Sequence, residues 1–191
     1  VPEWKIKGLL RTKEIPWYKR ILGDIPIFSS RRLKEDLSIV ENFYRSQGYL
    51  DVKVTANAHR DEEGRCIYIN IFVDEGNKYT LEGMVLKSVV PPGISESGLL
   101  SSVESKLGRP LNPNQLSADQ SRIRQYLRNR GYAYATAEVT YRKLGERTAM
   151  AEISITPGKL TYFGEVKFSG LNLTREGVVS REMTFGKGQP F

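Results

Sequence analysis

Two kinds of periodicity alternate along this chain. In "CIYINIFVDEG" the residues Ile67, Ile69, Ile71 and Val73 occupy every second position, the pattern of a strand with one face in a core. With "DVKVTANAHR" ahead of it and Asp61-Glu62-Glu63-Gly64 between, the segment predicts an antiparallel hairpin, with Cys66 packing as a small hydrophobe at the start of its second strand. "ATAEVTYR" and "AMAEISITPG" repeat the design around Gly145. Helical spacing is equally plain. Leu33, Leu37, Val40 and Tyr44 fall at i, i+4, i+7 and i+11, and Leu116, Ile123, Tyr126 and Leu127 form the counterpart stripe. "TLEGMVLKSVV", Thr80 to Val90, is β-branched and aliphatic and stops at Pro91-Pro92-Gly93, so it predicts a strand. A helix should follow, with Leu99, Leu100, Val103 and Leu107 on one face and Gly108 as its stop. Ser117 and Gln120 have capping-box spacing and are expected to open the next helix.

These elements recur in order. "FYRSQGYL" returns as "YLRNRGYA", with Gly48 and Gly131 83 positions apart. The same shift carries Leu33 onto Leu116, Asp36 onto Asp119, Arg45 onto Arg128 and Phe28 onto Leu111. Val52 and Val54 match Ala137 and Val139 at a shift of 85; Ile69, Ile71, Val73 and Gly76 match Ala151, Ile153, Ile155 and Gly158 at 82. A third copy opens at "GEVKFSGL", which aligns with "EWKIKGL" by placing Val166 over Trp4, Phe168 over Ile6 and Gly170 over Gly8. "GQPF" at 188–191 matches "GRPL" at 108–111. Self-similarity at this period marks a repeat architecture.

Gly48-Tyr49 and Gly131-Tyr132 read as structural helix stops. A glycine just past a helix takes the left-handed conformation without a Cβ penalty, and the next side chain folds back on the last turn. Tyr49 is expected on Tyr44 or Phe43, and Tyr132 on Leu127. Arg45 and Arg128 lie where a cation suits the helix dipole. Each unit then reads strand–helix–helix–strand–strand, an α+β layer pair in which two helices cover one face of a three-stranded mixed sheet. Units of this size bury a low share of their surface, so neighbouring units are expected to brace one another.

Composition adjusts this picture in a few places. The 191 residues are 39% hydrophobic and 27% charged, which is globular, and no run reaches the roughly 18 apolar residues of a membrane span. Val1 is not an initiator methionine, so a processed or cut piece of a longer protein is expected. The net charge of +7 is concentrated at the start, with nine basic and three acidic residues in 1–34. Such a segment suits nucleic acid, anionic lipid or an acidic partner, or is simply a solvated basic face. One cysteine excludes an internal disulfide and a cysteine metal cluster.

Catalytic chemistry is not evident. His59, the single histidine, sits near a hairpin tip with no nucleophile motif, and Asp61, Glu62 and Glu63 read as solvated turn residues. Gly186-Lys187-Gly188 lacks the spacing of a phosphate loop. Asn172-Leu173-Thr174 matches a glycosylation sequon, a short pattern that by itself assigns no function. No catalytic, cofactor-binding or metal residue is assigned, and no cofactor is expected. An RNA-binding module is the rival from another class. None of the 17 glycines is followed by another three positions on, which removes the KH loop, and the aromatic RRM signature is absent.

The order "L…D…I…Y…GY", then "V…V", then "I.V.EG..Y…G", resembles the POTRA (polypeptide-transport-associated) domains of the outer-membrane barrel assembly and surface antigen family. Departures are Pro16-Trp17 inside the expected first helix, and Ala137 where a larger β-branched residue is usual. The resemblance implies two tandem domains, 1–77 and 78–160, then the first strand and helix of a truncated third at 161–191. It implies a non-enzymatic periplasmic region preceding a C-terminal membrane barrel. Such a region receives unfolded outer-membrane proteins and docks accessory lipoproteins or periplasmic chaperones. A polypeptide secretion transporter is the alternative, with a division-protein scaffold further off; no nucleic acid is expected. The mechanism attached to the family is β-augmentation at the strand after Gly-Tyr: Val52, Lys53, Val54 and Thr55 in the first unit, and Ala137, Glu138, Val139 and Thr140 in the second. Lys53 and Glu138 serve equally as charges that block unwanted pairing. Thr161 to Ser169 is expected to form a strand that borrows an edge, giving a route to self-association.

Overall fold

A computed structural model of the chain describes residues 2–10, 29–60, 67–171, 175–189 and 191. Phe28, Pro16-Trp17, the Asp61–Gly64 tip, Cys66 and Asn172-Leu173-Thr174 lie outside these. Packing divides the chain into two compact units. One holds Val1–Glu82, Gly108–Pro113 and Lys143–Ala149; the other holds Gly83–Leu107, Asn114–Arg142 and Met150–Phe191.

The first unit contains helices α1 (Glu3–Leu9) and α2 (Ser30–Ser46) and the hairpin β1 (Lys53–Arg60) with β2 (Ile67–Asp74). Ser29 caps α2 by accepting a hydrogen bond from the Arg32 N–H. β1 and β2 pair antiparallel from Lys53↔Asp74 to Arg60↔Ile67. Val54, Ala56, Ile69, Ile71 and Val73 thereby share one face, as their alternation predicts. The core gathers Val40 and Tyr44 of α2 with Val52 and Val54, and Ile6, Leu10, Leu37, Phe43, Tyr49, Ile71 and Val73 pack around them.

In the second half of the chain β3 (Thr80–Leu86), β4 (Thr136–Lys143) and β5 (Thr148–Thr156) form a sheet in the order β3-β5-β4. β3 runs parallel to β5, since the Thr80 N–H donates to the Arg147 carbonyl and the Lys87 N–H to the Ile153 carbonyl. β4 and β5 close a hairpin, so the sheet is mixed. Helices α3 (Glu96–Ser101) and α4 (Pro113–Arg128) cover one face. Leu99, Ile123 and Leu127 are fully buried against Tyr132, Ala135, Ala137, Ile153 and Ile155. This is the helix-pair-on-sheet unit that the patterning predicts. The last helix, α5 (Glu176–Arg181), follows the β5 segment.

Four segments depart from the sequence reading. Glu3–Leu9, expected as the opening strand of the first unit, is helical, and β1 pairs with β2 as a two-stranded sheet. Helix places Ile6 and Leu10 on one side, both packed on the first core, and brings Lys5 Nζ to 5.4 Å from the Phe43 ring centre. α3 stops at Ser101 rather than Gly108, leaving Leu107 58% exposed. The Ser101 and Ser102 hydroxyls bond back to the Gly98 and Leu99 carbonyls, and a buried carboxylate then captures the following amides. α4 begins at Pro113, so Ser117 lies inside it and the capping-box assignment is incorrect. Proline suits a first helical position because it lacks the N–H that would go unpaired there. Finally, Thr161–Ser169 is not a strand; its first residues bond elsewhere, as described next.

Candidate functional site: helix stops and strand edges

Both Gly-Tyr pairs close a helix in the same way. The Gly48 N–H donates to the Arg45 carbonyl and the Tyr49 N–H to the Tyr44 carbonyl; Gly131 and Tyr132 repeat this onto Arg128 and Leu127. That two-bond closure is a Schellman motif, and it needs the positive φ of +97° at Gly48 and +89° at Gly131. The Tyr49 ring packs edge-on against Tyr44 at 5.7 Å between centres, and Tyr132 shares its core with Leu127. Tyr132 also donates its hydroxyl proton to the Pro92 carbonyl at 2.8 Å. Burial, then a hydrogen bond to the Glu75 carboxylate, push the Tyr44 phenol up to about 12.

Each glycine then does a second job. The Gly48 carbonyl accepts the Tyr79 N–H at 2.8 Å, and the Gly131 carbonyl accepts the Thr161 N–H at 2.7 Å. From those points the chain is clasped by the Gly-x-Pro segments. The Leu81 N–H donates to the Arg109 carbonyl, Gly108 to Leu81 and Leu111 to Tyr79. In the other copy Phe163 donates to Gln189, Gly188 to Phe163 and Phe191 to Thr161. Every bond of the first clasp has its partner in the second, which explains why "GRPL" and "GQPF" match. A Cβ on Gly48 would stand 2.8 Å from the Tyr79 carbonyl oxygen, so the clasp has no room for a side chain there.

The Gly-Tyr turns launch β1 and β4. The two strands have the same burial sequence and start 83 positions apart, not 85, so no insertion separates helix stop from strand. Val52 precedes β1 and is buried; Val54 and Ala137 face the cores, while Lys53, Thr55, Glu138 and Thr140 are exposed. β4 is an edge of its sheet, and β1 pairs among the described residues with β2 alone. The Leu144 N–H donates to the Thr148 carbonyl, and antiparallel alternation from there turns the backbone groups of Ala137, Val139 and Tyr141 away from β5. Those groups form the open edge. On the outer face, Arg142 first and then Lys87 hold the Glu152 carboxyl below its usual range, at 3.2 and 3.5 Å.

Two polar arrangements were missed by the sequence reading. Asp119 is fully buried and accepts from the Glu104 and Ser105 amides at 2.9 and 3.1 Å, the Ser105 hydroxyl, and Arg122 at 3.1 Å. The signal for it was present, because Asp36 and Asp119 occupy one repeat position, and Asp36 is also fully buried. The second is Asp51 with Tyr79 and Lys143. The Tyr79 hydroxyl donates to Asp51 at 2.8 Å, and Lys143 forms an ion pair with the same carboxylate. Among the described residues, His59 stacks on Tyr68, 5.4 Å between ring centres.

Paired helices over a mixed sheet, an edge strand launched from a glycine stop, and a clasp written twice define a tandem α+β array that presents main-chain edges. The chain belongs to the surface antigen variable number repeat (POTRA) family, whose sequence profile matches residues 1–76 and 92–158. It is 26% identical over 166 residues to the outer membrane protein assembly factor BamA of Neisseria meningitidis serogroup B, covering 86% of this chain and 21% of that protein. A putative outer membrane protein assembly factor of Treponema pallidum is 22% identical, with 86% and 20% covered. The chain therefore spans about a fifth of the length of these relatives. Among solved structures, it resembles POTRA3-5 of Haemophilus influenzae BamA, with a TM-score of 0.61, 16% identity, and 100% and 74% of the two chains covered. Haemophilus ducreyi BamA lacking POTRA domains 1–3 gives a TM-score of 0.53 at 16% identity, with 74% and 27% covered.

Proposed function

We propose that this chain is the periplasmic POTRA region of an outer-membrane protein assembly factor, and that it binds unfolded barrel proteins rather than catalysing a reaction. The similarity to the meningococcal assembly factor along 86% of the chain carries this reading. The exposed backbone of β4 supports the mechanism. An extended client adds to the edge at Ala137–Thr140, and in the first unit at Val52–Thr55, through main-chain bonds that do not depend on client sequence. Accessory lipoproteins or periplasmic chaperones are the further partners, and a C-terminal membrane barrel completes the protein. The sequence repeats 1–77, 78–160 and 161–191 are its domains.

A fluorescent peptide with the apolar–polar alternation of a barrel strand, titrated beside a labelled RNA, tests the reading. Saturable peptide binding with protection of β1 or β4 amides is expected. Sub-micromolar RNA binding with a steep salt dependence would replace it with the nucleic-acid alternative.

A further inference from the structure

We infer that Gln120 gates the β4 edge, so that the two client edges of this chain are not equivalent. The inference rests on the client-edge reading above and adds the residue that regulates it. Val139 lies at the middle of the open edge, and its N–H points away from β5. That N–H is not left to water: it donates to the side-chain Oε1 of Gln120, on α4, at 3.4 Å. A strand adding along β4 needs this donor for its own carbonyl. The client must therefore displace the Gln120 carboxamide before the ladder can run through the middle of the edge.

Among the described residues, the first unit has no such cover. The repeat shift of 83 places Leu37 at the position of Gln120 and Ala56 at that of Val139. Leu37 packs on the first core and has no side-chain acceptor. Among the described residues β1 is therefore the ungated edge, whereas β4 admits a strand only by exchanging one hydrogen bond for another. The same exchange protects β4 from chance pairing, which is the usual hazard of an exposed edge strand. Lys53 and Glu138 place charge beside each edge, whereas Gln120 occupies a donor directly. The cover is also selective. A segment able to pair continuously regains the lost bond and adds others, whereas a short or kinked one does not.

The test uses the whole chain with Gln120→Leu, which keeps bulk and removes the acceptor, and Gln120→Glu, which keeps an acceptor. Amide exchange is followed by NMR, and binding of the barrel-strand peptide by fluorescence. In Gln120→Leu the Val139 amide should exchange about 2- to 12-fold faster, the range of one net hydrogen bond. Ala137 and Tyr141 should be unchanged. Peptide affinity at β4 should rise by a similar factor, with β1 unaffected, and Gln120→Glu should retain the protection. Unaltered Val139 exchange in Gln120→Leu, or weaker peptide binding there, would overturn the gate. Faster exchange with no peptide binding in any variant would support the cover and sink the client reading.

Discussion

Lys143, the last residue of β4, forms an ion pair with Asp51, 92 positions earlier, while its Nζ lies 4.8 Å from the centre of the Tyr79 ring. Asp51 thus holds a cation with one oxygen and the Tyr79 hydroxyl with the other. The hydrogen bond from Lys143, then that from Tyr79, keep the Asp51 carboxyl below its usual range; Asp51 in turn raises the Lys143 ammonium.

The pH dependence follows from those signs. A lowered carboxyl contributes stability that is present above its unfolded value, about 3.9, and lost as pH falls below it. A raised ammonium contributes stability present below about 10.4 and lost as pH rises beyond it. Both side chains are more than a third exposed, so screening limits the pair to about 0.2–1 kcal/mol. The difference in Tm between the wild type and Asp51→Asn should be flat from about pH 5 to 9. It should shrink below about pH 4 and diminish in high salt.

Gly48→Ala should destabilise more than Gly108→Ala. Both positions have positive φ, +97° and +76°, and a Cβ in left-handed backbone costs about 1–2 kcal/mol. At Gly108 a Cβ meets nothing within 4 Å, whereas at Gly48 it collides with the Tyr79 carbonyl. Denaturant midpoints of the two variants check this ordering.

Asp119→Ala should cost about 1–3 kcal/mol, because it leaves the two amides that the carboxylate satisfies without an acceptor, while Arg122 keeps its ion pair with Glu104 at 2.7 Å. Amide exchange at Glu104 and Ser105 should accelerate with it. Asp119→Asn, which keeps one acceptor oxygen, should fall between.

Tyr44 should remain protonated in a spectroscopic titration up to about 12. Its raised value means that its contribution is complete below about pH 10 and is lost as pH climbs from there through 12. Tyr44→Phe should remove that alkaline component.

The elements legible in the sequence were those whose signal is local. Alternation at Ile67–Val73 and the Gly-Tyr stops describe their own surroundings, and the structure reproduces them. "EWKIKGL" misleads because its alternation is also compatible with a helix, and Ile6 with Leu10 satisfies the first core in that form. α3 looked longer than it is because the ligand that ends it, Asp119, comes 14 and 15 residues after the amides it binds. Of the candidate site, the edge strands were readable from the turn that precedes them. The bond from Val139 of β4 to Gln120 was not, since a glutamine's acceptor has no pattern until α4 and β4 are placed side by side.

The doubled role of the Gly-Tyr glycine bears on how such proteins change over evolutionary time. One glycine closes a helix through its N–H and anchors the opening of the following copy through its carbonyl, so the joint is encoded inside the copied text itself. Duplication or loss of a whole copy carries a working joint along with it, and the joint tolerates a one-residue difference in spacing, 31 residues from Gly48 to Tyr79 against 30 from Gly131 to Thr161. Copy number can therefore change without any new contact having to arise at the junction.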